Sequence, residues 1–584
     1  MIQTTVAHAI IDRLIAEGSK YVFIGPPTSH QTTFVDALFD RQSEITPILV
    51  RHEAQAAFMA EGWFRATGKI GAFHVGAGPA LANTVCGVMS AYTCGSGIIG
   101  ISGQVHSDFW GRNAMQEIQG KTYAEGHRIL EPIIKRYWQV SNPQKITDVL
   151  DQAYSAALTG RPGPVLIDVA MDLFEKKCEF DNSRLGDHRP TGMPTGDPDA
   201  VRQAVELLLE ANAPVMLCGR GVVAGEAWAE AIEIAERLSI PVVTTFNGKS
   251  AIPADHPLAV GPIGVPGNAT ANETVRESDL VLALGTRFTE WSTSSWKPGL
   301  PFDFSEARLI QVDIVPDEIG RYYPVTVGIQ GHLKHVLHSW VEVVRSEDVA
   351  PSNAVASERI SRIQAARDEE RQRLRRWDSC NDVPVRPERV LGELRGLLPR
   401  DAIVMPDAGN HSSLFQNSWD VYEPKTYIND NGVHAMGYAP AAALGVKLGC
   451  PRQEVVVVTG DGSMTQVNWV LATAAEYNIP VKFIVLNNSA LGSMVGVQEN
   501  AFDGRVLCTR FTDHSSGEPY VQDFSLLAKS YNVKSSRVTE PSDIKPTIEM
   551  MLSEDGPYLL EIMSELHASP EGAGAMWVSA KSWQ

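Results

Sequence analysis

The stretch VVVVTGDGSMTQVNWVLATAAEYNIPVKFIVLNNSALGSM, residues 455–494, decides the architecture of its part of the chain. Val455 to Val458 are too apolar to face water and read as a strand buried on both faces. The strand runs into Gly460-Asp461-Gly462-Ser463, where two glycines let backbone amides come close to a ligand. A helix is expected at once, with Val467, Leu471 and Ala474 at helical spacing. Its first N–H groups would point beyond the strand end, as at an anion site. A second apolar strand, FIVLNN, ends in Asn487 and Asn488. Strand, helix and strand together place Asn488 beside Asp461 at neighbouring strand tips. Two hard oxygen ligands would meet there, and a backbone carbonyl from about Ala490 with two phosphate oxygens would complete an octahedral magnesium site. Read alone, GDG is a glycine-rich turn and NN an ordinary strand-end turn.

The same alternation of short β-branched runs with helical patterns recurs three times, which predicts an α/β chain of three doubly wound parallel-sheet domains. The first, residues 1–180, carries YVFIG, ITPILV, GAFHVG, GIIGISG and PVLIDV as strands. The second, residues 195–345, carries PVMLCG, PVVTTF, LVLALG and LIQVDI. The third, residues 380–584, carries AIVMPDAG, EVVVVTGDG, VKFIVLNN and YLLEI. Between them, CEFDNSRLGDHRPTGMPTGDPDA lacks an apolar period and reads as a linker. The segment EDVAPSNAVASERISRIQAARDEERQRLRRWDS reads as a link running into a solvated, charged connector helix.

At 584 residues the chain exceeds one core, and each domain is expected to bury its own apolar interior. A formal charge of −19 disfavours nucleic acid and anionic membrane surfaces as partners. No secretion signal and no apolar run of spanning length is evident, so a soluble, cytoplasmic protein is expected. Seven scattered cysteines without a CxxC pair read as reduced packing residues.

A carboxylate that could activate a heterocyclic cofactor sits in RHEAQAAFMAEGWFRATGKIG, residues 51–71. Glu53 follows a strand and opens a helix, which aims it out of the sheet end. In a water-poor pocket such a group can share a proton with a ring nitrogen. Read alone, it is an acid offsetting a helix dipole.

GDG, an interval of this size and NN resemble the fingerprint of thiamine-diphosphate enzymes, and the block around Glu53 resembles the acetohydroxyacid synthase and pyruvate oxidase-like family. The resemblance implies pyrimidine-binding, central and diphosphate-binding domains in that order. It implies Mg²⁺ on Asp461, Asn488 and the Ala490 carbonyl, with Gly462 and Ser463 near the diphosphate and Glu53 as activator. It implies diphosphate contacts from Asn410 and His411 in DAGNH, a wedge from Met436, and an acceptor carbonyl at His434. It also implies a homodimer or homotetramer with active sites between subunits, Glu53 of one chain facing Asp461 of another.

In the central domain, GRGVVAGE, TTFNG, VPGN, GTRF and DIVPDEIG resemble the flavin-binding version found in acetohydroxyacid synthases. This implies a structural FAD, with Arg220 and Arg287 on phosphate or ring and Asp313 on ribose; relatives that keep the domain empty or hold ADP leave that open. For substrate, the candidates are Thr28, Ser29 and His30, then His74, Gln116 and Glu117. The blocks TSH, GAFHVG, DAGNHS, GTRFTEW and RYYP resemble cyclohexane-1,2-dione hydrolase, a flavin-containing relative. They imply cleavage of a carbon–carbon bond next to a carbonyl, with a 1,2-diketone or 2-oxoacid donor. Histidine suits that chemistry, because a neutral imidazole can take a hydroxyl proton near neutral pH. Acetolactate-type carboligation and 2-oxoacid decarboxylation are the alternatives. A catalytically idle nucleotide-binding homologue is a further one, and the presence of Glu53, Asp461 and Asn488 speaks against it. The tail ELHASPEGAGAMWVSAKSWQ reads either as a lid or as a packed end.

Overall fold

The computed structural model describes residues 2–118, 125–183, 185–186, 188–346, 354–430 and 432–568. Three parallel sheets form along the chain, each flanked by helices. In the N-terminal unit the strands lie in the spatial order Thr46–Leu49, Tyr21–Ile24, Gly71–Val75, Ile98–Gln104, Val165–Ala170, Arg136–Val140. The C-terminal sheet runs Ile403–Pro406, Val455–Gly460, Lys482–Asn487, Tyr558–Met563, Lys534–Val538. An isolated parallel bridge from Val404 to Tyr427 sits where a further edge strand would be. With that bridge counted as the second strand, the two sheets share one topology, and in each the order reverses beside the first strand. The central sheet runs Ala259–Pro262, Val242–Thr244, Pro214–Cys218, Leu280–Leu284, Arg308–Asp313, Val327–Gln330. Ligands of open α/β sheets bind outside the carboxyl ends of the strands at such reversals.

Each outer unit buries an apolar cluster on one side of its sheet, from Val6 through Ile101 to Phe180 in the first and from Val385 through Val458 to Ile562 in the third, where Phe246 of the central unit joins it, and a further cluster is shared between the two units. Helix Glu53–Thr67 lies against helix Tyr438–Gly449, and one apolar cluster runs from Phe23 and Phe58 through Ala442 to Val457 and Phe483. Gly62 and Gly445 permit the approach. A Cβ on the first would stand 2.2 Å from the Ala442 carbonyl oxygen, and on the second 2.0 Å from that of Met59. A polar knot is sealed inside: Glu61 accepts from Tyr438 Oη at 2.5 Å, Ser96 Oγ at 2.9 Å and Arg65 Nη1 at 3.3 Å. Removing one member of such a group leaves a buried charge unpaired, at about 3–5 kcal/mol.

Two further expectations change. Ile2–Thr5 pairs antiparallel with Lys177–Phe180, so the first residues of the presumed linker are strand. The connector helix, Ala354–Arg375, is not merely solvated. Ile363 and Leu374 are buried, and the Glu370 carboxylate accepts from the amides of Ala269 and Thr270 at 2.7 and 3.0 Å, capping helix Ala269–Arg276. The link 347–353 and most of the C-terminal tail, from residue 569, lie outside the described residues.

Candidate active site

Two clusters gather at strand ends of the outer sheets. In the first, Glu53 opens its helix and is 8% exposed. Asn83 Nδ2 donates to Glu53 Oε2 at 2.8 Å, while Oε1 takes no hydrogen bond among the described residues. Gly25, at the tip of strand Tyr21–Ile24, leaves room for the carboxylate: a Cβ there would meet Glu53 Cγ at 2.8 Å and Val75 Cγ1 at 3.1 Å. Thr28, Ser29 and His30 follow. Gln31 Oε1 accepts from the Thr28 amide at 3.0 Å, and Thr28 Oγ1 lies 3.4 Å from His30 Nδ1. His30 is buried, and burial holds its pKa below the ordinary imidazole value. Gln116 has a left-handed φ of 70°, and its carbonyl abuts Gly78. Glu117 holds that loop by accepting from the Gly111 amide at 2.8 Å.

His74 is placed differently. Its strand neighbour Val75 faces Gly25 and Glu53, so alternation turns the imidazole to the opposite sheet face. There it lies 4.3 Å from the Phe34 ring and 5.9 Å from the Phe174 ring. Nδ1 bonds the Ile101 carbonyl at 3.0 Å, Nε2 is buried and has no partner among the described residues, and burial pushes the pKa down to about 3.

In the second cluster, strands Val455–Gly460 and Lys482–Asn487 are paired neighbours, so Asp461 and Asn488 stand side by side as expected. Asp461 Oδ1 accepts from the Gly462 amide at 2.9 Å and Oδ2 from the Ala490 amide at 3.2 Å. Asn488 Oδ1 is buried and takes no hydrogen bond among the described residues. An orphaned amide oxygen beside a buried carboxylate is a donor set that suits a hard divalent cation. No group of three or more His, Cys, Asp or Glu side chains offers a metal cage among the described residues. A cation here would therefore share amide, carbonyl and ligand oxygens.

Around this pair, Asp407 accepts from the amides of Gly437 and Ala439 and from Thr459 Oγ1, tying the reversal of the sheet to the 434–437 turn. Asn410 and His411 open helix Asn410–Ser418, with His411 Nε2 buried and unpartnered among the described residues. Ser463 Oγ reaches the Ala408 carbonyl at 3.5 Å. His434 adopts φ 58°, and Met436 lies over Gly462, its Cε 3.5 Å from where a Cβ would stand. The helix after GDG is broken into Asp461–Val467 and Val470–Glu476, so the periodic pattern hid an interruption at Asn468 and Trp469.

No hydrogen bond, ion pair or ring contact joins the Glu53 cluster to the Asp461 cluster among the described residues. The N- and C-terminal units meet elsewhere, through His52 stacked on Trp469 at 5.2 Å and Leu49 N–H donating to Tyr477 Oη at 2.8 Å. Within one chain the two clusters thus stand without a direct bond between them among the described residues.

In the central sheet, a cavity of about 490 Å³ opens where strands Pro214–Cys218 and Leu280–Leu284 end. Arg220, Arg287 and Asp313 all line it, joined by Arg161, which carried no sequence signal. Arg220 Nε donates to the Cys94 carbonyl at 2.5 Å and Arg287 Nη2 to that of Thr93 at 2.9 Å. Burial and nearby Arg65 depress Arg220 to about 9, and burial raises Asp313 to about 6. Asn83 and Asp407 were likewise not read as site residues. Asn83 sits in no motif, while Asp407 is the first residue of the DAGNH block.

Three family models of thiamine pyrophosphate enzymes match this chain in order: the N-terminal TPP binding domain over residues 4–123, the central domain over 201–339, and the C-terminal TPP binding domain over 407–562. They define a thiamine-diphosphate-dependent enzyme, and the two strand-end clusters lie in its outer units. The probable acetolactate synthase large subunit of Methanocaldococcus jannaschii is 33% identical over 95% of this chain and 91% of its own length. The acetolactate synthase large subunit of Haemophilus influenzae is 31% identical, and the acetolactate synthase isozyme 3 large subunit of Escherichia coli 30%, each over 94% of this chain and 92% of its own. The chain belongs to the acetohydroxyacid synthase and pyruvate oxidase-like family of thiamine-diphosphate enzymes. No described helix is long and apolar enough to cross a membrane.

Proposed function

We propose that the enzyme is a magnesium-dependent carboligase of the acetolactate synthase type, taking a 2-oxoacid such as pyruvate as donor. What carries this choice is the similarity to acetolactate synthase large subunits along nearly the whole chain.

Thiamine diphosphate, when bound, supplies a nucleophilic carbon and an electron sink for the bond next to the carbonyl. Asp461, Asn488 and the Ala490 carbonyl would hold Mg²⁺, with Gly462, Ser463, Asn410 and His411 around the diphosphate. Met436 and the His434 carbonyl would set the bend and orientation of the rings. Glu53, oriented by Asn83, would hold a proton at a ring nitrogen through its free Oε1. Glu53 belongs with the Asp461 cluster of a second chain, which makes the working unit a homodimer or homotetramer. The central cavity would hold FAD in a structural role, since carboligation needs no net redox step.

A second donor class, the cyclic 1,2-diketones, is favoured by one observation. His30 is a buried, neutral imidazole at the strand tip beside Thr28, within the same cluster as Glu53. It can accept a proton from an adduct hydroxyl, with Gln116 on the neighbouring loop. Product analysis separates the two. Incubation with thiamine diphosphate and Mg²⁺ should convert pyruvate to acetolactate. Ring-opened product from cyclohexane-1,2-dione with none from pyruvate would replace the carboligase assignment.

A further inference from the structure

Strand Tyr558–Met563 carries a glutamate, Glu561, in the interior of the C-terminal sheet. It runs between Lys482–Asn487 and Lys534–Val538, and Glu561 is fully buried. In the register Glu561 stands opposite Val485 on one side and Arg537 on the other. Arg537 Nη2 supplies a countercharge 3.7 Å from Oε1, beyond hydrogen-bonding distance. A carboxylate taken out of water at such a place is costly unless donors surround it.

Its donors adjoin the proposed cation site. Oε1 accepts from Asn487 Nδ2 at 2.7 Å, and Oε2 from the Ser525 amide at 3.1 Å. Asn487 directly precedes Asn488, and its whole side chain is engaged. Nδ2 also donates to the Gln522 carbonyl at 2.9 Å, and Oδ1 accepts from the Ser489 amide at 3.2 Å. Asn488 is therefore held from both sides. Ser525 lies in the first turn of helix Phe524–Ser530, where amides lack partners within the helix. Between these anchors, Gln522 Oε1 accepts from Thr465 Oγ1 at 2.5 Å, and that hydroxyl lies 2.8 Å from the Asp461 carbonyl. The segment 522–525 thus reaches from the Asn487 tip to the helix that begins at Asp461.

We propose that Glu561 is a positioning residue for the divalent cation: by holding Asn487 and Ser525 together it sets where Asn488 Oδ1 and the Ala490 carbonyl stand relative to Asp461. This rests on the reading of Asp461 and Asn488 as cation ligands. Both partners of Glu561 are donors, which a carboxylate alone satisfies. A glutamine offers one oxygen and one N–H₂ group, so in Glu561→Gln either Asn487 Nδ2 or the Ser525 amide would face a donor. Mg²⁺ demands near-ideal octahedral geometry at about 2.0–2.1 Å, whereas Ca²⁺ accepts irregular shells at about 2.3–2.6 Å. A loosened tip should penalise Mg²⁺ more than Ca²⁺, a signature that lost stability alone does not give.

The test titrates Mg²⁺ and, separately, Ca²⁺ into the full-length protein with thiamine diphosphate present, tryptophan fluorescence reading cofactor retention. In Glu561→Gln the Mg²⁺ midpoint should rise by about tenfold or more. The Ca²⁺ midpoint should rise by no more than about threefold. Thr465→Val, at an exposed position, should move the ratio of midpoints the same way by a smaller factor, and it decides the matter if thermal melting shows Glu561→Gln unfolded. Ile548→Val, in the apolar cluster of the same unit, should melt earlier and keep both parental midpoints. Asp461→Ala should raise the midpoint for both ions, and parental values there would remove the cation reading itself. With Asp461→Ala impaired, a parental ratio in folded Glu561→Gln, or in Thr465→Val where Glu561→Gln does not fold, would overturn the role of Glu561. A ratio shifted equally in Ile548→Val would overturn it too.

Discussion

Glu53 and Asp461 make different demands on one bound group, so their substitutions should fail differently. Glu53→Gln keeps the bond from Asn83 and the packing against Gly25 but cannot exchange a proton. Turnover should fall by about 10²–10⁴-fold while the cofactor retained after gel filtration stays near parental. Asp461→Ala removes the one carboxylate among the protein ligands of the proposed cation site. The concentrations of Mg²⁺ and thiamine diphosphate needed for half-maximal activity should rise at least about tenfold. A normal requirement would remove the assignment. His74 makes a prediction about stability instead. Its pKa is pushed from 6.5 to about 3 by burial, so between those values the unfolded chain binds the extra proton and stability falls as pH falls. His74→Phe, flanked by Phe34 and Phe174, should lose less stability than the parent between pH 7 and 5, by on the order of 1–2 kcal/mol in denaturant titrations. An identical pH dependence would show that the ring is not held neutral. The motif residues Glu53, Asp461 and Asn488 were legible because strand tips and glycines announce them. Asn83 was not, since a lone asparagine in the turn between helices Pro79–Ala82 and Val85–Cys94 has no pattern until the chain is folded.

At the scale of elements, the interior strands of the three parallel sheets were all legible, and the strands missed lie at edges, although the apolar edge strand Thr46–Leu49 was read as ITPILV. Val455–Gly460, Lys482–Asn487, Leu280–Leu284 and Ile98–Gln104 are interior strands, buried nearly throughout, and read as apolar runs. Arg136–Val140, Ala259–Pro262, Val327–Gln330 and Lys534–Val538 are all edge strands, and none was anticipated. Three of them show why, since their outer positions meet solvent and carry Arg, Gln, Lys or Ser, as an edge that avoids pairing with other chains requires. The connector helix was misjudged because its charges suggested solvent, whereas Arg367 and Glu370 spend theirs on backbone groups of the central unit. The contact between helices Glu53–Thr67 and Tyr438–Gly449 could not be foreseen from periodicity, yet it rests on two glycines. Gly445→Ala would drive a methyl group into the Met59 carbonyl. It should destabilise the enzyme by about 1–3 kcal/mol in thermal or denaturant unfolding. A neutral substitution would mean that the helices can separate at no cost.

At the scale of the whole molecule, the repeated topology of the two outer sheets produces two reversals, one beside the Glu53 cluster and one beside the Asp461 cluster. The shared core fixes them within one chain in an arrangement that gives Glu53 and Asp461 no mutual contact. The net charge of −19 fits small-molecule chemistry and does not favour a nucleic-acid partner. Sequence resemblance implies that Glu53 of one copy faces Asp461 of another, and the proposed homo-oligomer follows that expectation. Co-expression of Glu53→Gln chains with Asp461→Ala chains tests it most directly. Each mixed pair would contain one site with both substitutions and one with neither, so random pairing should restore about a quarter of parental activity from two nearly inactive proteins. Mixed enzyme no more active than the better of the two single variants would contradict a site built between chains.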